Sequence, residues 1–214
     1  AADPKEIGDK QEEEKPNLPL KLGFNRFVWN MHYPGPEVKI DKALEKPGYQ
    51  QLGRIAPFGG GSSSGPVASP GNYQAQLKLG KHEITHSFEI IKDPRLKTTA
   101  EDFSAQFELW SKIRNSVSAI NSAINKVRKI NLQITELLGR EIFTRAAPEK
   151  SLIAVRKATE SLMNKLSQIE NQLTQNQYET PSDRLRHPTM LKQRMEALVS
   201  VVSISDAAPP QQAY

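Results

Sequence analysis

The chain has 214 residues, of which 37% are hydrophobic and 25% are charged, and its formal net charge is +5. This balance predicts a globular protein with some polar irregular stretches, and no apolar run approaches the ~20 residues of a membrane span. The chain has no cysteine, which excludes disulfide bonds, thiolate catalysis and cysteine-ligated metals. Basic and acidic residues are interspersed, so we expect solvated surfaces, no nucleic-acid partner and at most peripheral membrane contact.

Residues 1–21 are polar and interrupted by prolines, with three consecutive glutamates at 12–14. Such a segment cannot bury enough apolar area to offset the entropy lost on ordering. We expect an extended polar arm that becomes ordered on a partner.

Residues 22–96 carry the patterns of β-structure. Residues 22–33 alternate with large apolar groups on both faces, which predicts a central strand that ends at Pro34-Gly35-Pro36. Residues 72–79 alternate cleanly and predict a half-buried strand, a turn at Gly80-Lys81 and a returning strand over 83–92. A Gly/Ser-rich loop at 59–65 lacks the lysine that a phosphate-binding loop needs. These patterns predict a small fibronectin/immunoglobulin-like β-sandwich.

Residues 97–206 carry helical periodicity. The first stripe comprises Phe103, Phe107, Trp110, Ile113, Val117, Ile120, Ile124, Val127, Ile130, Ile134 and Leu137, and the second comprises Leu152, Val155, Thr159, Leu162, Leu166, Ile169 and Leu173. Both stripes recur in steps of three and four, which predicts two long helices folded back as an antiparallel hairpin. Thr99 is the expected N-cap and Gly139 the expected stop of the first helix. A third helix after Pro188 completes a three-helix bundle, and residues 207–214 form a flexible tail. The predicted fold class is therefore α+β.

Three groups of residues resemble one known family. The run 24–30 followed by Pro34-Gly35-Pro36, the run 70–77 followed by Asp93-Pro94-Arg95, and the run 183–188 with residues 205–209 occur in the same order. This set is similar to the C-terminal region of the sortilin-like BNR/YVTN-repeat β-propeller exoproteins, often labelled glycosyl hydrolases. The resemblance implies a periplasmic or extracellular location. The propellers of that family are not in these residues, so no propeller-borne activity is carried over.

The titratable residues suggest no catalytic or metal site. None of the four histidines, at positions 32, 82, 86 and 187, has a helical partner at metal-ligand spacing. Glu83, Glu89 and Asp93 form no carboxylate pair across a cleft of the kind that a glycosidase uses. No G-x-S-x-G nucleophile motif is present. We therefore expect a protein that is not an enzyme and that has no cofactor and no metal.

Four aromatic residues are the candidates for partner contact, namely Trp29, Tyr33, Tyr49 and Phe58. Tyr33 and Tyr49 adjoin proline and glycine turns, Phe58 precedes the Gly/Ser-rich loop, and aromatic side chains are favoured at interfaces. Trp29, like Trp110, is by its spacing more typical of a core. The first hypothesis is a non-catalytic structural or interaction subunit of an exported assembly, with a protein or large complex as partner. The alternative is a carbohydrate- or peptide-binding accessory module of a propeller-type exoenzyme.

Overall fold

The computed structural model describes residues 22–44, 64–139, 150–177 and 181–214. These residues form a mixed α+β structure of two small antiparallel sheets and three helices. The strands are β1 (His32–Pro34), β2 (Ser64–Val67), β3 (Gly71–Leu79) and β4 (His82–Ile90), and the helices are α1 (Ala100–Leu138), α2 (Lys150–Leu173) and α3 (Leu191–Val202). Short 3-10 turns cover Lys42–Leu44, Pro181–Leu185 and Gln211–Ala213. Residues 31–214 belong to one compact unit, and residues 22–30 are the described part of a second unit. None of the described helices is long and apolar enough to cross a membrane.

The strand predicted over residues 22–33 is wrong for most of its length. Only His32–Pro34 is a strand, and residues 22–30 contain neither helix nor strand. Leu22 is 108% exposed and Phe24 is 92% exposed. Strand propensity depends on packing against neighbours, so an alternating pattern without such packing does not produce a strand.

The first sheet consists of two short strands whose backbones approach each other closely. β1 pairs antiparallel with β2, and Ala68 N donates to Met31 O at 2.7 Å. His32 Nδ1 lies 2.8 Å from the carbonyl oxygen of Gly65. A Cβ at Gly65 would overlap Pro34 O and lie 2.7 Å from Tyr33 O. Glycine is therefore required for β1 and β2 to approach this closely.

The second sheet is the β3–β4 hairpin, and its predicted turn is confirmed. Gly80 occupies the turn with φ +59°, and the register runs from Gly71 opposite Ile90 to Leu79 opposite His82. Among the described residues no third strand pairs with this hairpin, so the predicted fibronectin-like sandwich is not confirmed. The expectation that residues 72–79 are half-buried is wrong beyond Tyr73, because every later residue of β3 is exposed.

Helix α1 has the bounds that its signals predict. Thr99 Oγ1 accepts from Asp102 N at 3.2 Å and Thr99 N donates to Asp102 Oδ2 at 3.0 Å, which forms a reciprocal capping box. The helix runs for 39 residues and is followed by Gly139. Glu101 and Asp102 place negative charge at the positive end of the helix.

Two separate cores lie along α1. In its first half, Leu109, Trp110, Ile113 and Val117 pack with Val199 and Val202 of α3 and with Ala213. In its second half, Val127 and Ile134 pack with Leu166 of α2. Residues 207–214 were expected to be a flexible tail, but Ala213 is 5% exposed within the first core. The sequence does not indicate this contact, because the segment is polar overall and a single small apolar residue gives no periodic signal.

A polar stripe on α1 binds the backbone of the segment that follows β1. Asn121 Nδ2 donates to Val38 O at 2.8 Å, and Asn125 Nδ2 donates to Lys39 O at 2.8 Å. Asp41 N donates back to Asn125 Oδ1 at 3.0 Å, and Arg128 Nη1 donates to Leu44 O at 3.1 Å. These bonds satisfy backbone groups of an irregular segment, and they fix its path along the helix.

Candidate interaction surface

Aromatic rings from four elements meet where the first sheet, the hairpin and α1 come together. Tyr33 of β1 makes an edge contact with Phe107 of α1 at a centroid distance of 5.0 Å. Tyr73 of β3 stacks on its cross-strand partner Phe88 of β4 at 5.9 Å. We call Tyr33, Tyr73, Phe88 and Phe107 the aromatic junction. Edge and offset ring contacts add about 0.5–1.5 kcal/mol beyond burial, so this junction holds the base of the hairpin in place.

Tyr73 is the electrostatically perturbed member of the junction. Its hydroxyl donates to Ser69 O at 2.7 Å. Burial raises the pKa of Tyr73, and the neighbouring Tyr33 phenol raises it further by repulsion and by hydrogen bonding. The ring is therefore kept neutral, and it acts as a packing and hydrogen-bonding group.

Two clefts adjoin the aromatic junction. The larger has a volume of about 420 Å³ and is lined by Ser69, Pro70, Lys92, Ala100, Phe103, Ser104 and Phe107. The single charged side chain among these lining residues, Lys92, donates from Nζ to Thr98 O at 2.8 Å. A smaller cleft of about 170 Å³ includes Met31, Gln106, Asp93 and Asp206. The larger cleft is thus mainly apolar and aromatic, which suits an apolar ligand group or a sugar face.

An apolar face extends from the junction along the outer part of the hairpin. The register places Leu77 opposite Ile84 and Leu79 opposite His82, with His86 opposite Ala75 on the same face. Leu77, Leu79 and Ile84 are 49%, 56% and 66% exposed. We call these three residues the hairpin face. The other side of the hairpin is polar, with Lys78 Nζ at 3.2 Å from Glu83 Oε2.

The carboxylates of this region are already engaged or exposed. Arg95 binds Asp93 in a fork, with Nε at 3.0 Å from Oδ1 and Nη2 at 2.6 Å from Oδ2. These hydrogen bonds lower the pKa of Asp93, whereas a general acid needs a raised pKa. Asp206 lines the same small cleft, which the sequence did not indicate. Within the described ranges, no group of three His, Asp or Glu side chains could hold a metal ion.

The structure places two of the four predicted contact residues. Tyr33 lies in the aromatic junction and is 38% exposed. Trp29 lies in the segment 22–30 and is also 38% exposed, so it is not a core residue, whereas Trp110 is 5% exposed. Tyr49 and Phe58 lie outside the described residues.

Sequence reasoning missed Tyr73 and Phe88 as site residues. A signal for them was present, because a two-residue turn at Gly80-Lys81 fixes Tyr73 opposite Phe88. It also missed the role of the hairpin face, since alternation predicts which residues share a face and does not predict what covers that face.

Comparison of the chain with protein-family models, with curated proteins and with solved structures finds no match.

Proposed function

We propose that the chain is a non-catalytic structural or interaction subunit of an exported, periplasmic assembly. The observation that carries this proposal is the hairpin face, whose three large aliphatic side chains are 49–66% exposed. Fully burying one such side chain contributes about 1.5–3 kcal/mol, so a partner that covers the face gains a substantial hydrophobic term. Tyr33 and the aromatic junction adjoin this face and extend the contact area.

The hairpin itself favours a partner that adds strands. A two-stranded hairpin is only marginally stable in water, and three or more strands are needed for independent stability. The outer edges of β3 and β4 pair with no other strand among the described residues. A partner that supplies a strand or a second apolar layer completes the sandwich that the sequence predicts.

The exported location and the nature of the assembly rest on the sequence. The resemblance to exported propeller proteins supports a periplasmic location. We propose that the subunit stabilises a large, membrane-embedded complex from its periplasmic side.

The test is native purification of the chain from its source, with a double variant that makes the hairpin face polar. Wild type should elute in a complex at fixed stoichiometry, and L77Q/I84Q should elute as a free, folded chain. Thr85 is an exposed residue on the polar side of the same strand, so T85Q is the matched control and should remain in the complex. Elution of the wild type alone would refute the proposal.

A second candidate function is a carbohydrate- or peptide-binding accessory module. The cleft of about 420 Å³ beside Phe103 and Phe107 favours it, because sugars and apolar peptides bind in aromatic-lined clefts. This function predicts saturable binding on a glycan or peptide array. Tyr33→Ala should weaken that binding by about tenfold or more, because the Tyr33 ring packs against Phe107 of the cleft. Absence of binding on both arrays would count against it.

We further propose that α1 and α2 form the antiparallel helical hairpin that the sequence predicts. Packing of Val127 and Ile134 against Leu166 supports this arrangement, as does the ion pair between Arg128 and Glu170. Consecutive long helices that pack together and are joined by a short connection run in opposite directions.

A further inference from the structure

The apolar side of α2 is wider than the part of it that contacts α1. Leu166 is 9% exposed and packs against α1, whereas Val155, Leu162 and Ile169 are 42%, 44% and 47% exposed. These three exposed residues are spaced seven apart, so they form one line along the helix, next to the line that faces α1. A helix that packs against two other helices buries one line of apolar residues against each of them. The line formed by Val155, Leu162 and Ile169 therefore lacks a neighbouring helix among the described residues.

Helix α1 has a matching exposed line. Val127 and Ile134 face α2, and the residues three positions later are Ile130, which is 39% exposed, and Leu137, which is half-buried. A step of three residues turns about 60° back around the helix axis, and Ile169 stands in the same relation to Leu166. In an antiparallel pair, equal turns on both helices lead to the same side of the pair. We call the resulting surface the helical groove, and it comprises Ile130, Leu137, Val155, Leu162 and Ile169.

The rim of the helical groove is basic. Lys126 precedes Val127 and Lys165 precedes Leu166, so each lysine is turned to the groove side, and both side chains are exposed. Glu136 and Glu160 are turned to the back or to the opposite side, and Glu170 is paired with Arg128. Ala123, Ala154 and Ala158 also lie on the groove side and leave room for close approach of another backbone.

We propose that the helical groove binds an amphipathic helix from a partner protein, with an apolar stripe of heptad period flanked by acidic side chains. Charge complementarity to Lys126 and Lys165 selects the acidic flanks. The seam between two packed helices accepts the side chains of a third helix, whereas a flat membrane surface is better matched by protruding apolar groups. A second copy of this chain is disfavoured, since the lysine rims of the two copies would face one another. The proposal rests on the antiparallel arrangement of α1 and α2 and does not depend on the hairpin face.

The probe is a designed helical peptide of about three heptads, with Leu and Ile at the a and d positions and Glu at e and g. Its matched control is the same peptide with Lys at e and g. Calorimetry on the full chain should show saturable binding of the acidic peptide and no binding of the basic peptide. Leu162→Gln and Ile169→Gln, checked for folding by circular dichroism, should each weaken binding by about tenfold.

Charge reversal distinguishes specific peptide binding at the helical groove from nonspecific hydrophobic binding. The double variant K126E/K165E changes two exposed side chains, and it should lose the acidic peptide and gain the basic one. L77Q/I84Q tests the proposed function at the hairpin face, and it should bind the acidic peptide like wild type.

Three results would overturn the proposal. The first is equal binding of both peptides, or binding unchanged in L162Q and I169Q. The second is no acidic-peptide binding but binding to phosphatidylglycerol-containing vesicles that K126E/K165E abolishes, which would assign the surface to a membrane. The third is concentration-dependent dimerisation that L162Q abolishes without peptide binding, which would assign it to a second copy.

Discussion

Arg128 Nε lies 2.8 Å from Glu170 Oε1, and the two side chains are 7% and 3% exposed. The same guanidinium donates to Leu44 O at 3.1 Å and to Asn176 Oδ1 at 3.2 Å. One buried cation therefore joins α1 to α2, to the segment after β1 and to the chain beyond α2. A buried charge that loses one of its partners is strongly destabilising, so the packing of α1 against α2 depends on both members of this pair.

Removal of one partner of this pair should be costly. Glu170→Leu leaves Arg128 buried without its carboxylate, so the free energy of unfolding should fall by about 3–5 kcal/mol in denaturant titration. R128M/E170L removes both charges and should be more stable than E170L alone. Glu83 pairs with Lys78 where the side chains are 49% and 57% exposed, so Glu83→Gln should cost less than about 1 kcal/mol. Equal losses in E170L and E83Q would contradict this account.

Gly65 should not tolerate a side chain. A Cβ there meets backbone atoms of Pro34 and Tyr33, and backbone atoms cannot move aside as a flexible side chain can. Gly65→Ala should therefore lower the free energy of unfolding by about 2 kcal/mol or more and separate β1 from β2. Gly139 has φ −77°, and a Cβ added there would lie 3.4 Å from its nearest neighbour, Thr135 O. Gly139→Ala should therefore change stability by about 0.5 kcal/mol or less. Thermal unfolding of the two variants side by side checks the contrast.

The N-cap of α1 should contribute measurably to stability. Thr99→Ala removes the acceptor for Asp102 N and should cost about 1 kcal/mol. Thr135→Ala is the matched control, because Thr135 Oγ1 only donates back to Asn131 O within the same helix. That substitution should be neutral or slightly stabilising. Urea titrations that give the same midpoint for T99A and wild type would refute the capping role.

Tyr73 should make stability fall at high pH. Its folded-state pKa is raised, so below about pH 10 the folded and unfolded states are both neutral and the full stability is present. As the pH rises, the unfolded state loses this proton first, and stability falls until the pH passes the folded-state pKa. Ultraviolet titration of tyrosinate should show a late step that Tyr73→Phe removes. The same step should be absent from protein unfolded in guanidinium, and its persistence in Y73F would contradict the assignment.

The elements with strong local signals could be predicted from the sequence. The limits of α1 follow from Thr99 and Gly139 because caps act within one helical turn. The hairpin follows from Gly80-Lys81 because a short turn fixes the register of both strands. The candidate site was predicted in part, since Tyr33 adjoins proline turns, while Tyr73 and Phe88 became site residues only through contacts across the aromatic junction.

The sequence by itself determined the apolar and polar faces of the hairpin and of the helices, because side-chain direction follows from the two backbone periods. Only the tertiary structure decided which of those faces are covered. It divided the α1 stripe into two cores, buried Ala213 in the first of them, and left Leu77, Ile84 and Leu162 exposed. It also engaged Asn121 and Asn125 with the backbone of residues 38–41. The physical reason is that packing and hydrogen bonding between distant segments depend on where each segment lies, and a local pattern carries no information about that.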